Sequence, residues 1–397
     1  MKISRLKFAA GLYLAAVLLI CGVVVWKARA LIWKGYPDFT IYYSAALMLR
    51  RGMGPQLYDE AAQFRVQREF APGVIIRASA LPYNHPPFEA WIFVPFSYLP
   101  YGAAYILWSL ANVGMLIALP FLLRRYLPAL ARASAFWWVL GNVAFFPFFF
   151  TLLQGQDTIL LLFLYALAFV SLEQKRFVSA GAYLACGLFK FHLVLPFLIF
   201  LLVRERRKIL WGFLLVAAVL GLISFASVGI QELIYYPHYV LQLEETMGRG
   251  SIMPADMPNL RGILYLVWPH LPKAVILTLS AAVFLIALWH LRGERDRNLK
   301  FALGLFVTIL VSYHTLGYDL SILMLAVQLV ANDLLAEEKR SGWPVVLVLA
   351  GILTLFFAPV LLVLLMKYQS LALAGWAVLF ATCGLLWHIR QRESRLA

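Results

Sequence analysis

Long apolar runs, separated by short clusters of basic residues, follow one another along nearly the whole chain. A helix needs about 20 apolar residues to cross the hydrocarbon core of a bilayer, and fewer where it is broken. Runs of this kind lie at about 8–28, 101–123, 134–152, 157–172, 177–189, 191–203, 209–228, 272–291, 300–313, 318–335, 343–366 and 370–389. The fold they predict is all-α: a polytopic membrane bundle of about 12 transmembrane helices, forming a single unit over 1–397. Composition agrees. Of the 397 residues 63% are hydrophobic and 13% charged, where a soluble protein carries about a quarter charged. Disorder and an ordinary water-soluble domain are thereby excluded.

The formal net charge of +15 would suggest nucleic acid on a soluble protein, but here it reports topology. Lys2, Arg5 and Lys7 precede the first run, and the later clusters are Arg124/Arg125/Arg132, Lys175/Arg176, Arg204/Arg206/Arg207/Lys208, Arg292/Arg295/Arg297/Lys300, Lys339/Arg340 and Arg390/Arg392/Arg395. With twelve crossings every cluster falls on one side, and the positive-inside rule makes that side cytoplasmic, with both termini. These inner segments hold 21 of the 34 Lys/Arg against 8 of the 19 Asp/Glu, so no nucleic acid partner is needed. The stretch 177–203 is read as two short halves turning near Lys190 and His192, because one straight helix would put a basic cluster outside. The first run is long enough to span and lacks a small-x-small cleavage site, so it reads as an anchor. Cys21, Cys186 and Cys383 lie far apart inside apolar runs and read as packing residues.

Two outer segments are long. The first, about 29–100, contains two pieces too short and too charged to span, one beginning after Asp38 and one at Asp59, a good N-cap; both are expected along the interface. The second, about 229–271, is rich in Pro, Met and Tyr. Unusual polar motifs gather at the outer ends of the runs: Asp38, Asn84-His85-Pro86-Pro87, Gln154-Gly155-Gln156-Asp157, Lys190-Phe191-His192, and His314 with Tyr318-Asp319. Polar groups at membrane depth are costly and usually line a cavity or pair with one another. Each also has a plainer explanation. Asp38, Asp157 and Asp319 would cap helices, His85 would satisfy loop backbone, Gln154 and Gln156 would bond helix ends, and Lys190 would snorkel to the surface. Their delivery by five segments to one face is what suggests a shared site.

The order Asp38-Phe-Thr-Ile-Tyr-Tyr-Ser-Ala-Ala46, Leu57-Tyr58-Asp59, Tyr83-Asn-His85-Pro-Pro-Phe88, Gln154-Gly-Gln156 and Tyr318-Asp319-Leu320 resembles glycosyltransferase family 87, over about 35 to 335. It is similar to the polyprenyl-phosphate-mannose-dependent α-1,2-mannosyltransferases of mycobacteria. The resemblance implies a GT-C membrane bundle and transfer of a sugar, with inversion, from a polyprenyl-phosphate carrier to a glycolipid or glycan acceptor. It implies mannose or another hexose, with arabinose open, and a bacterial plasma membrane with the site on its periplasmic face. The family's catalytic base, an Asp in the first outer loop, matches Asp38. Where family members often carry an Asn-Gln-Ser-like stretch in the late outer loop, this chain has Asn259-Leu-Arg261-Gly262.

Inverting transfer needs a carboxylate to take the acceptor's proton, the role expected of Asp38. The departing lipid phosphate needs cations and donors, for which Lys190, His192 and His85 are candidates, with Arg50, Arg51 or Arg261 assisting. His314, Tyr318 and Asp319 complete the expected substrate contacts, and Gln154 and Gln156 suit sugar hydroxyls. The aromatic run Phe145–Phe150 would line a groove for the lipid tail or serve as packing. No metal is expected, although Asp38, Asp157 and Asp319 are the carboxylates that would share one. Two other classes remain open: a lipid-linked sugar transporter or flippase, and a glycan ligase. The first would place its polar site at the bilayer midplane; the second would carry a late outer loop rich in Arg and His.

Overall fold

A computed structural model describes residues 2–74, 79–203, 207–245, 253–290, 297–336 and 342–396. The basic residues Arg204, Arg206, Arg249, Arg292, Arg295, Lys339 and Arg340 lie outside the described residues. The described chain is helical, with no strand among the described residues. All twelve apolar runs coincide with helices. Five helices are long and apolar enough to cross a membrane: Phe8–Trp33, Tyr101–Leu123, Lys208–Leu243, Gly317–Ala336 and Ala372–Ser394. Three bent pairs, at 135–154, 177–202 and 343–366, raise this to eight if each is one span. The other runs form shorter helices, Thr158–Glu173, Lys273–Trp289 and Arg297–Val311. The protein is a polytopic helical membrane protein, and the count of 12 divides into five long spans, broken pairs and short helices.

The breaks have local causes. Pro147 starts the second half of the first pair, Pro344 and Pro359 lie in the first turns of the two halves of the third, and a missing backbone N–H is tolerated there. In 177–202 the chain leaves Phe177–Cys186 through Gly187, makes a tight turn at Leu188–Lys190 and continues as Phe191–Leu202, bent by 60°. The turn falls where the sequence suggested, but it deflects the chain instead of reversing it.

The segment Lys208–Glu245, two helices meeting at a kink at Gly229, packs along Phe177–Cys186, and small residues permit it. A Cβ on Gly181 would meet the Ile209 carbonyl at 1.9 Å, and one on Gly212 the Val178 carbonyl at 1.9 Å. Such crossings are the means by which helices associate where no water drives them together. Arg297–Val311, buried over almost its whole length, and the first half of Leu323–Ala336, buried from Leu323 to Val330, form the centre of the core. The N-terminal helix Lys2–Trp33 lies at the margin, with Leu12, Leu19 and Trp26 exposed, as suits a helix bathed in lipid.

Within the segment 29–100, the piece after Asp38 is the helix Phe39–Arg50 and the piece after Asp59 is Glu60–Phe70. Asp59 caps its helix as expected, accepting from the backbone N–H of Ala61 and Ala62. Every residue from Phe39 to Leu49 is buried. Its aromatic rings explain this. Phe39 packs against Phe93, Tyr101 and Tyr105, and Tyr42 stacks on Phe93 at 4.6 Å. The first piece is therefore a core element that fixes Asp38 from below, not a helix lying along a surface. The aromatic run Phe145–Phe150 is also packing: Phe145, Phe146, Phe148, Phe149 and Phe150 are all buried. They do not line an open groove for a lipid tail.

Candidate active site

Five segments converge on one polar cluster. They are the start of Phe39–Arg50, the turn before Pro87–Phe93, the turn between Pro147–Gln154 and Thr158–Glu173, the break at Leu188–Lys190, and the short helix Gly317–Ile322. Gly155 makes the third of these possible. It sits in the left-handed region at φ +64°, and a Cβ there would stand 2.7 Å from the Cβ of Phe39. Only glycine adopts this conformation readily while letting the turn press against the helix that follows Asp38.

Asp38 occupies the N-cap position, yet its carboxylate makes no cap hydrogen bond. Its Oδ2 accepts from the Gln156 side-chain amide at 2.8 Å, and its backbone N–H donates to Gln154 Oε1 at 3.2 Å. Gln154 thus satisfies a helix end, the plainer of its two roles. Gln156 is buried and joins the two halves of the site. Its Oε1 accepts from the Tyr42 hydroxyl at 2.6 Å and from Lys190 Nζ at 3.4 Å.

Lys190 does not snorkel; it is 2% exposed. Its Nζ lies 3.2 Å from Asp157 Oδ1 and 3.1 Å from Asp319 Oδ1, and 4.9 Å from the centre of the Tyr318 ring. Asp157 makes no side-chain cap hydrogen bond to the helix it precedes. Asp319 does bond locally, accepting from the Leu316 N–H at 2.9 Å and from the Thr158 hydroxyl at 3.3 Å. The Lys190 ammonium is therefore already paired with two carboxylates.

Behind this pair lies a group that sequence reading did not assemble. His85 Nδ1 is 3.0 Å from Glu89 Oε2, and the Tyr83 hydroxyl lies 3.3 Å from the same oxygen. Burial holds His85 down to about 4 and pushes Glu89 up to about 7. Both lie outside the candidate spans, and in both cases loss of hydration disfavours the charged form. Glu89 was missed because Asn84-His85-Pro86-Pro87 reads as a turn. The available signal was Pro87 at the start of a helix, which places Glu89 one helical turn after His85.

Of the remaining candidates, His192 and His314 border this network beside Asp319, and the arginines lie elsewhere. His192 and His314 pair edge to face with ring centroids 5.8 Å apart. Arg261 is buried, donates to the Tyr313 carbonyl at 3.2 Å and lies 3.9 Å over the Tyr313 ring. Asn259 caps Leu260–Val267 by accepting from the Gly262 N–H. Arg50 bonds the Ser97 carbonyl, and Arg51 forms a two-pronged pair with Glu69, so neither points to the cluster. Asp38, Asp157 and Asp319 do not form one cation-binding group. Among the described residues the group whose ligand atoms close on one another is His85, Glu89 and Asp157.

Comparison with known proteins gives one positive result. The family model for glycosyltransferase family 87 matches residues 83–312. That stretch contains His85, Gln154, Gln156, Lys190, His192 and Arg261, whereas Asp38, His314, Tyr318 and Asp319 fall outside it. No curated protein and no solved structure shows a significant match.

Proposed function

The chain belongs to glycosyltransferase family 87 and is a membrane glycosyltransferase, and we propose that it moves a sugar from a polyprenyl-phosphate carrier to a lipid or glycan acceptor with inversion, using Asp38 as general base. The reading takes mannose or another hexose as the sugar and the periplasmic face of a bacterial plasma membrane as the location, with both termini cytoplasmic.

One observation carries it: the Asp38 carboxylate is released from its cap position and held instead by Gln156. Asp38 is half-buried, at the edge of the cluster, while Gln156, Asp157, Lys190 and Asp319 behind it are buried. A base must meet a hydroxyl arriving from outside, and a fixed, partly exposed carboxylate suits that task. In the reaction the acceptor oxygen attacks the anomeric carbon as its proton passes to Asp38. The bond between that carbon and the phosphate oxygen breaks, and the lipid phosphate leaves with the electron pair. Gln156 orients the base, and Tyr42 and Lys190 orient Gln156. Tyr318 and the His192–His314 pair border this space and suit contacts to sugar or phosphate.

Proteoliposomes given polyprenyl-phosphate mannose and an acceptor lipid extract test the reading. The wild type should consume donor, and Asp38→Asn should slow transfer by roughly 10²–10⁴-fold while still binding donor. Undiminished turnover in the variant would remove Asp38 from the base role. Donor that crosses the vesicle unconsumed would replace transfer with transport.

A further inference from the structure

We propose that His85, Glu89 and Asp157 form a binding site for one divalent cation. Their ligand atoms all lie within 4.8 Å of one another. The three come from two places: His85 from the bend just before Pro87–Phe93 and Glu89 from that helix's first turn, and Asp157 from the N-cap of Thr158–Glu173. Opposed ligands on a small six-coordinate cation stand about 4.2 Å apart. The cluster needs only to draw in slightly.

A second observation points to a ligand. Glu89 and Asp157 are completely buried, their carboxyl groups lie within hydrogen-bonding reach of each other, and no N–H or hydroxyl donor meets Glu89 Oε1 or Asp157 Oδ2. Asp157 Oδ1 faces the Lys190 ammonium, which also serves Asp319. Asp157 and Asp319 thus share one ammonium, and Glu89 has the His85 ring and the Tyr83 hydroxyl beside it. An uncompensated buried charge is among the costliest features a protein can hold. A dication between Glu89, Asp157 and His85 balances the two carboxylates it touches and leaves Lys190 to Asp319. The His85 ring also lies beside the Phe189 carbonyl, the kind of outer contact that orients a ligating imidazole. One imidazole with two carboxylates suits Mn²⁺ or Zn²⁺ better than Ca²⁺.

The occupancy of the site stands on these contacts alone. Its use, drawing the anionic phosphate of a lipid-linked donor to an acidic cluster, rests on the transfer reaction proposed above.

The test is metal binding by the full chain in nanodiscs, stripped with chelator and then titrated with Mn²⁺. Electron paramagnetic resonance should report one Mn²⁺ bound per chain, displaced by Zn²⁺, and the melting temperature should rise with Mn²⁺. Glu89→Gln and Asp157→Asn should each weaken binding by more than about tenfold, and Asp38→Asn should bind as the wild type does. Because the first readout uses the unaltered protein, a variant that fails to fold does not decide the matter. Background Mn²⁺ on the wild type with no displacement or melting shift by Zn²⁺, or full binding in well-folded Glu89→Gln and Asp157→Asn, overturns the site. Metal binding without donor turnover would retain the site and discard the transfer reaction; turnover without metal binding would do the reverse.

Discussion

Replacing Lys190 by Met tests the central ion cluster. The side chains are similar in length, so what is removed is chiefly the ammonium. Its Nζ stands 3.2 Å from Asp157 Oδ1 and 3.1 Å from Asp319 Oδ1, and all three groups are buried. At an effective dielectric of about 20, each contact is worth roughly 5 kcal/mol before desolvation is counted. Desolvation of the ions offsets most of that in the intact protein. It offsets nothing once the cation is gone, because the carboxylates stay buried. The expected cost is about 3–5 kcal/mol, the usual penalty for stranding one side of a buried pair. Unfolding followed by circular dichroism in mixed micelles measures it. Adding Asp319→Asn to Lys190→Met should restore about 1–3 kcal/mol, since the second change removes one stranded charge. Both proteins are to be unfolded after chelator treatment, so that a bound cation does not mask the loss. A single variant within about 1 kcal/mol of wild type would refute the reasoning. It would mean that the carboxylates are already neutral and Lys190 is not their counter-ion.

Two further predictions follow from local geometry. Gly155→Ala places a Cβ in a left-handed turn and 2.7 Å from Phe39, so it should destabilise by about 1–3 kcal/mol. It should reduce transfer more than stability, because the displaced helix carries Asp38; equal melting curves and equal rates would show that the turn does not position the base. Glu69→Gln breaks the pair with Arg51, whose side chains are 38% and 50% exposed, and should cost less than about 1 kcal/mol, with the effect shrinking in high salt. The Arg51 hydrogen bond holds the Glu69 carboxyl below its ordinary value. The small contribution is therefore present above the ordinary carboxylate range and fades as pH falls through the lowered value. A contribution that grew on acidification would contradict that sign.

The helices were legible in the sequence because a chain that spans lipid must be apolar for a fixed length, and that demand leaves long runs. How many crossings they make was less legible. A run such as 177–203 looks the same whether it reverses or bends by 60° at Gly187–Lys190, because the difference lies in a few backbone dihedrals. The burial of Phe39–Arg50 was hidden for a related reason. Arg50, Arg51 and the short length suggest a surface piece, whereas aromatic packing from Pro87–Phe93 and Tyr101–Leu123 draws it inside. The gathering of Asp38, His85, Gln156, Lys190 and Asp319 was visible as five motifs at run ends, but their pairings were not. Sequence suggested Lys190 as a cation for phosphate, and the structure engages it with Asp157 and Asp319. Glu89 escaped altogether, since its importance comes from burial beside Asp157 and not from any motif.

These pairings assign Gln156 a role that a carboxylate or an ammonium cannot fill. One end of its amide meets the Asp38 carboxylate and must donate; the other meets the Lys190 ammonium and the Tyr42 hydroxyl and must accept. Only a neutral group with both functions satisfies both neighbours, and its orientation is dictated, because a flipped amide would set oxygen against carboxylate and N–H against ammonium. The amide therefore separates a partly exposed base from a buried ion cluster while fixing their distance. Were Asp38 paired directly with Lys190, the ammonium would hold the carboxylate in its charged form and weaken it as a proton acceptor. With Gln156 between them, Asp38 is held in place by a neutral amide while the ammonium stays with Gln156, Asp157 and Asp319.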